Sequence, residues 1–170
     1  MQDRADMIRT WQPKQQHLWD IIIPGVDGLA GHTETLQLSM RSAGLPSDTT
    51  GVITVPMDST EAKFAGKTTF ENIELVFSDW IDRDTAVLIR EWRSRVFNPL
   101  NGGAGLVAAY KLDGFAKVYS DEEETYTSEY TLKGCWPSSG KFGNLDRSSA
   151  ELVQISVTLV VDRGYLKSER

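Results

Sequence analysis

From Val153 to Leu159 the chain alternates, with Val153, Ile155, Val157 and Leu159 on one side of an extended strand and Gln154, Ser156 and Thr158 on the other. A strand so apolar and free of charge belongs in the centre of a sheet or against another chain. The same two-residue period recurs upstream. Leu18–Ile23 is a β-rich run stopped by Pro24-Gly25, and Thr35–Ser42 sets Leu36, Leu38 and Met40 against Gln37, Ser39 and Arg41. Val52–Val55 and Ala62–Ala65 read as two short strands around a protruding polar loop, Pro56–Glu61. Phe70–Phe77, Leu106–Tyr119 and Tyr126–Lys133 complete the strands, the last two joined through the acidic tip Asp121–Glu124. The period changes once. Leu88, Ile89, Trp92 and Val96 recur at three- and four-residue spacing, which predicts a single amphipathic helix over about residues 84–97, capped by Asp82 or Asp84 and ended by Asn98-Pro99.

About eight strands and one helix without βαβ alternation make a mainly β fold, an antiparallel sandwich or distorted barrel with the helix packed against it. One domain, 17–163, carries all of this. Residues 1–16 form an N-terminal extension in which Met7, Ile8 and Trp11 share one side of a short helix, and docking on a neighbour and a frayed end are both open. Residues 164–170 read as a charged C-terminal tail. The Gly-, Pro- and Ser-rich stretch Cys135–Ser149 is too long for a tight hairpin and reads as a structured loop.

A net charge of −6 argues against a surface that binds nucleic acid by neutralising phosphates. The single cysteine, Cys135, permits no internal disulfide, and a reducing compartment, the cytoplasm, is the expected place of synthesis. No apolar run approaches the roughly 18 residues of a membrane-spanning helix. Candidate chemistry is sparse. Gly134–Lys141 looks like a phosphate-binding loop, but it has one residue too many between its glycines and Phe142 where a hydroxyl is needed. Gly102–Gly105 follows the helix instead of opening it and reads as a flexible link. His17 and His32 have no further ligand at metal spacing, and neither is placed to activate Cys135. The expectation is a protein that is not an enzyme and uses no cofactor or metal.

Four stretches, taken in order, resemble the tail tube proteins of contractile-tailed bacteriophages, and through them the tube proteins of bacteriocins, contractile injection systems and type VI secretion. They are Leu18–Gly25, Leu38–Pro46, Lys67–Trp80 leading into the helix, and Leu132–Val161. The resemblance implies a ring-forming virion structural protein. Hexameric rings stack into the inner tail tube, and double-stranded DNA passes through without specific binding during ejection into the host. It also implies a sheath, a tape-measure protein, a baseplate and a tail terminator as partners. The tube of an injection system carrying protein cargo, and another ring component such as a terminator or hub, are the alternatives.

Within that resemblance, carboxylates on wet strand faces are candidates to line the lumen, namely Asp113, Glu122, Glu123, Glu124 and Glu129, with a solvated outer face as the competing reading. Candidate contacts between subunits are Leu45, Pro46, Met57, Trp136, Pro137, Phe142 and Leu145. Packing of their loops over the subunit's own barrel end is the competing reading there.

Overall fold

The computed structural model describes residues 18–27, 35–81, 85–119, 126–144, 148 and 151–169. Its spine is the antiparallel pair β5 (Ile73–Ser78) and β10 (Gln154–Val160), in which Ile155 faces Phe77, Val157 faces Leu75 and Leu159 faces Ile73. All six side chains are buried. Their two-residue spacing places them on one face of the sheet, and cross-strand apolar pairs of this kind are what stabilise it. The helix α3 (Thr85–Val96) buries Ala86, Leu88, Ile89 and Trp92 in this core. Trp92 keeps its polar edge satisfied by donating from Nε1 to the Tyr110 carbonyl at 2.9 Å. The helix start is held by Asp79, whose Oδ1 accepts from the Ala86 amide at 3.3 Å. Asp82 and Asp84, expected as caps, lie outside the described residues.

Four strands sit to one side of the spine. These are β1 (Trp19–Ile22), β8 (Leu112–Tyr119), the first half of β9 (Tyr126–Lys141) and β11 (Arg163–Glu169), each antiparallel to its neighbour. Past Gly134, β9 turns to pair with β10, which pairs with β5, which pairs with β2 (Met40–Ala43). Thus β9 and the β10–β11 segment together pass from one sheet to the other around a corner. The corner has visible causes. Gly134 adopts φ +65°, and a Cβ there would collide with the Asp162 carboxylate. Asp113 accepts from the Gly134 amide at 3.0 Å and pairs with Lys133 at 2.6 Å, while Lys111 pairs with Asp162 at 2.6 Å.

Several expectations change. Residues 164–169, expected as part of a charged tail, belong to β11 (Arg163–Glu169): interspersed charge also suits a strand with one wet face. Cys135–Lys141, expected as the start of a loop, continues β9. Pro137 is accommodated because the ladder to β10 shifts register there, Ser138 taking the extra place and donating to the Thr158 carbonyl at 3.1 Å. The first half of Thr35–Ser42 is a short helix, α2 (Thr35–Ser39), which buries Leu36 and Ser39 three residues apart and leaves Leu38 exposed. Short turns also form at α1 (Pro24–Asp27) and α4 (Val107–Tyr110). The presumed flexible link closes a small ladder between β6 (Phe97–Asn98) and β7 (Gly103–Ala104).

Candidate assembly surfaces

Among the described residues the sheet β1-β8-β9-β11 ends in two open edges: β1 pairs there with β8 alone and β11 with β9 alone. Its strand number is even and every pairing is antiparallel, so β11 of one copy laid beside β1 of another would also run antiparallel. Nothing in either strand's sequence blocks such pairing with proline.

The second surface is a hairpin, β3 (Asp48–Met57) and β4 (Thr60–Phe70), turning at Asp58 with φ +43°. The expected loop Pro56–Glu61 is therefore strand on both sides of a two-residue turn. Its root is fixed by hydroxyl donation from Ser47 and Thr49 to Glu71 at 3.0 and 2.9 Å. Those bonds, Thr49 first and Ser47 second, favour the charged form and lower the Glu71 carboxyl below its usual range. Beyond the root, Ile53 faces Phe64, Val55 faces Ala62 and Met57 faces Thr60, which gathers the larger apolar side chains on one face. Ile53, Met57 and Phe64 remain 54, 57 and 55% exposed. A two-stranded ribbon with a bare apolar face is marginal in water and calls for a partner.

The expected contact residues divide. Leu45 is exposed on the rim of a cleft of about 680 Å³ between β1 and the β2–β3 connection, and Met57 is exposed near the hairpin tip. Pro46 is half-buried and packs over Gly164 of β11. Pro137 is fully buried, Trp136 meets Tyr110 edge-on with centroids 5.8 Å apart, and Phe142 packs on the core beneath Arg90. Trp136 and Pro137 lie on β9 and Phe142 just past its end, and each packs within this chain. Leu145 lies outside the described residues. Ile53, Val55 and Phe64 were missed as surface residues. Their alternation signals a strand face, and only the position of the hairpin outside the core shows that the face is bare.

Of the expected acidic residues, Glu122, Glu123 and Glu124 lie outside the described residues. Asp113 and Glu129 share one sheet face, since Glu129 pairs with Lys117, which lies four residues along β8 from Asp113. Asp113 is exposed, and its bonds to Lys133 and the Gly134 amide hold its carboxyl below the usual range. Glu129 is 8% exposed, sits opposite Lys117 and pairs with Lys167 at 2.9 Å. The face interleaves both signs of charge.

Among the described residues nothing assembles a nucleophile with a base. Cys135 is buried and its thiol is pushed up to about 12 by desolvation, with Asp113 and Asp162 adding to the effect, which makes it unreactive at neutral pH. The void among Ile21, Leu36, Phe77, Trp92 and Val157 measures about 10 Å³, far below a ligand cavity.

No family model matches the chain. A tail tube protein of Serratia phage KSP90 is 24% identical over 154 residues, covering 87% of this chain and 85% of that protein. The tube terminating cap of the anti-feeding prophage shares the fold with a TM-score of 0.71 at 17% identity, over 99% of each chain. A chain of the PVC sheath-tube complex, from an extracellular contractile injection system in its extended state, gives 0.70 at 12% identity over 98% of this chain and 99% of that one. In sequence the chain is similar to a phage tail tube protein, and in fold to tube chains of contractile injection systems, as the order of its four sequence stretches indicated.

Proposed function

We propose that this chain is a structural subunit of a phage tail that assembles with itself into hexameric rings, which stack into the inner tube through which double-stranded DNA leaves the virion. The observation that carries the reading is the four-stranded sheet with two open edges. Edge-to-edge joining of β11 to the neighbour's β1 satisfies backbone groups that are otherwise left to water, and an even strand number lets the alternation continue around a closed ring. The apolar face of the β3–β4 hairpin then lies against an adjacent copy. The sheet face bearing Asp113 and Glu129 lines the channel. Lys133 and Lys167 are engaged by these carboxylates, which reduces the positive charge available to passing phosphates.

The test is hydrogen exchange on the purified protein below and above the concentration at which it assembles. Amides of β1 and β11 become protected on assembly under this reading; unchanged exchange in both strands contradicts edge joining. A second reading, a terminating ring, is favoured by the likeness to a tube terminating cap. It predicts single rings at every concentration, where a tube subunit elongates.

A further inference from the structure

The register of the four-stranded sheet sorts its side chains into rows that run across the strands. Asp20 stands opposite Lys117, and Lys117 opposite Glu129. Lys167 continues that row: it falls where the β9–β11 register shifts, between Leu166 and Ser168, and its ammonium meets Glu129 at 2.9 Å. From β1 to β11 the row therefore reads minus, plus, minus, plus. The adjoining row holds Ile21, Ala116, Tyr130 and Leu166, and the one after it Ile22, Phe115, Thr131 and Tyr165. At the open edge of β11 these two rows end on large side chains, Leu166 and Tyr165, which are 44% and 48% exposed.

We propose that β11 of one copy pairs with β1 of the next so that Lys167 stands opposite Asp20, Leu166 opposite Ile21 and Tyr165 opposite Ile22. All three matches belong to a single antiparallel register, in which one residue number falls as the other rises. A slip of one residue would put Leu166 opposite Asp20 and bring the two faces out of step. A slip of two keeps the faces but sets either Arg163 or Lys167 opposite Ile22, so that a charge meets an apolar side chain. Opposite charges and large apolar side chains facing each other across strands favour the register that joins them. Both ends of the ion pair have capacity for it. Asp20 accepts from the Tyr119 hydroxyl within its own chain and, as a carboxylate, has further lone pairs; the Lys167 side chain stays 60% exposed beside Glu129 and its ammonium carries three protons. The proposal rests on the ring reading above and adds which residues meet at each joint. The sign alternation then continues through every joint, and the face bearing Asp113 and Glu129 carries one closed band of alternating charge.

Cysteine pairs in the full-length protein read the register; Cys135 is buried and does not compete. Under mild oxidation of rings, Ile22→Cys with Tyr165→Cys links neighbours into a ladder on a non-reducing gel, whereas Ile22→Cys with Arg163→Cys, which reports a slip of two, stays unlinked. Circular dichroism checks each fold, and electron microscopy checks that rings are present. Linking through Arg163→Cys instead, or through neither pair although rings form, overturns the proposal. A double-mutant cycle reads the ion pair without cysteines. Asp20→Asn, which can still accept from Tyr119, raises the concentration needed for rings roughly two- to fivefold, and in a Lys167→Gln background it has no further effect. An equal effect in both backgrounds overturns the pairing. Wild-type protein that forms no rings overturns the ring reading itself, a result distinct from a wrong register.

Discussion

Replacing Ile53, Met57 and Phe64 by serine tests the hairpin as an assembly element. Each side chain is already more than half exposed, at 54, 57 and 55%, so the folded subunit loses little when it is shortened. Full burial of such a side chain contributes about 1.5–3 kcal/mol, and covering the exposed half about half of that. Three together therefore contribute about 3 kcal/mol to each contact, or roughly a hundredfold in its association constant. Sedimentation velocity over a concentration series, with negative-stain imaging, measures the shift, and thermal unfolding of the dissociated subunit serves as control. The triple variant melts within about 2 °C of the wild type, the shift of well under 1 kcal/mol expected of surface changes. Assembly at the wild-type concentration would refute the reasoning, as would a melting point lowered far enough to place these side chains in the subunit's own core.

Leu159→Ala, at 0% exposure between β5 and β9, is expected to cost about 2–5 kcal/mol in urea unfolding of the dissociated subunit. Gly134→Ala places a side chain at φ +65° against the Asp162 carboxylate and is expected to destabilise by about 1–3 kcal/mol; an unchanged midpoint would mean that the corner does not need glycine. Cys135 resists iodoacetamide at pH 8 in the native protein and reacts in urea, because its thiol is pushed up to about 12 by burial. Rapid native labelling would show that the corner opens. The Asp113 carboxyl titrates below its ordinary value because Lys133 and the Gly134 amide favour its charged form. The small stabilisation it supplies is thus present above the ordinary carboxylate pKa of about 4 and is lost as pH falls through the lower folded value. In an NMR titration Lys133→Met moves Asp113 back upward, and no movement would contradict the pairing.

The elements legible in the sequence were those with one buried face. Ile73, Leu75 and Phe77 in β5, Ile155, Val157 and Leu159 in β10, and Leu88, Ile89 and Trp92 in α3 each announce their period because the other face meets a different environment. Where one residue carries two meanings the pattern failed. Gly134 and Pro137 signal a loop in most chains, yet here they mark the bend and the register shift of a continuous strand. In α2, Leu36 and Ser39 are spaced for a helix while Leu36, Leu38 and Met40 are spaced for a strand, and only packing against β1, β5 and α3 decides. The assembly surfaces were less visible still. The pairing of Asp113 with Lys133 depends on cross-strand register, and the bareness of Ile53 and Phe64 depends on where the hairpin projects. Periodicity encodes neither.

Cryo-electron microscopy of the purified protein at assembling concentration tests the central claim most directly. Stacked rings of six copies, with β11 of each copy hydrogen-bonded to β1 of the next and the apolar hairpin face covered, are the predicted result. Monomers at high concentration, or rings whose β1 and β11 edges stay unpaired, would contradict it.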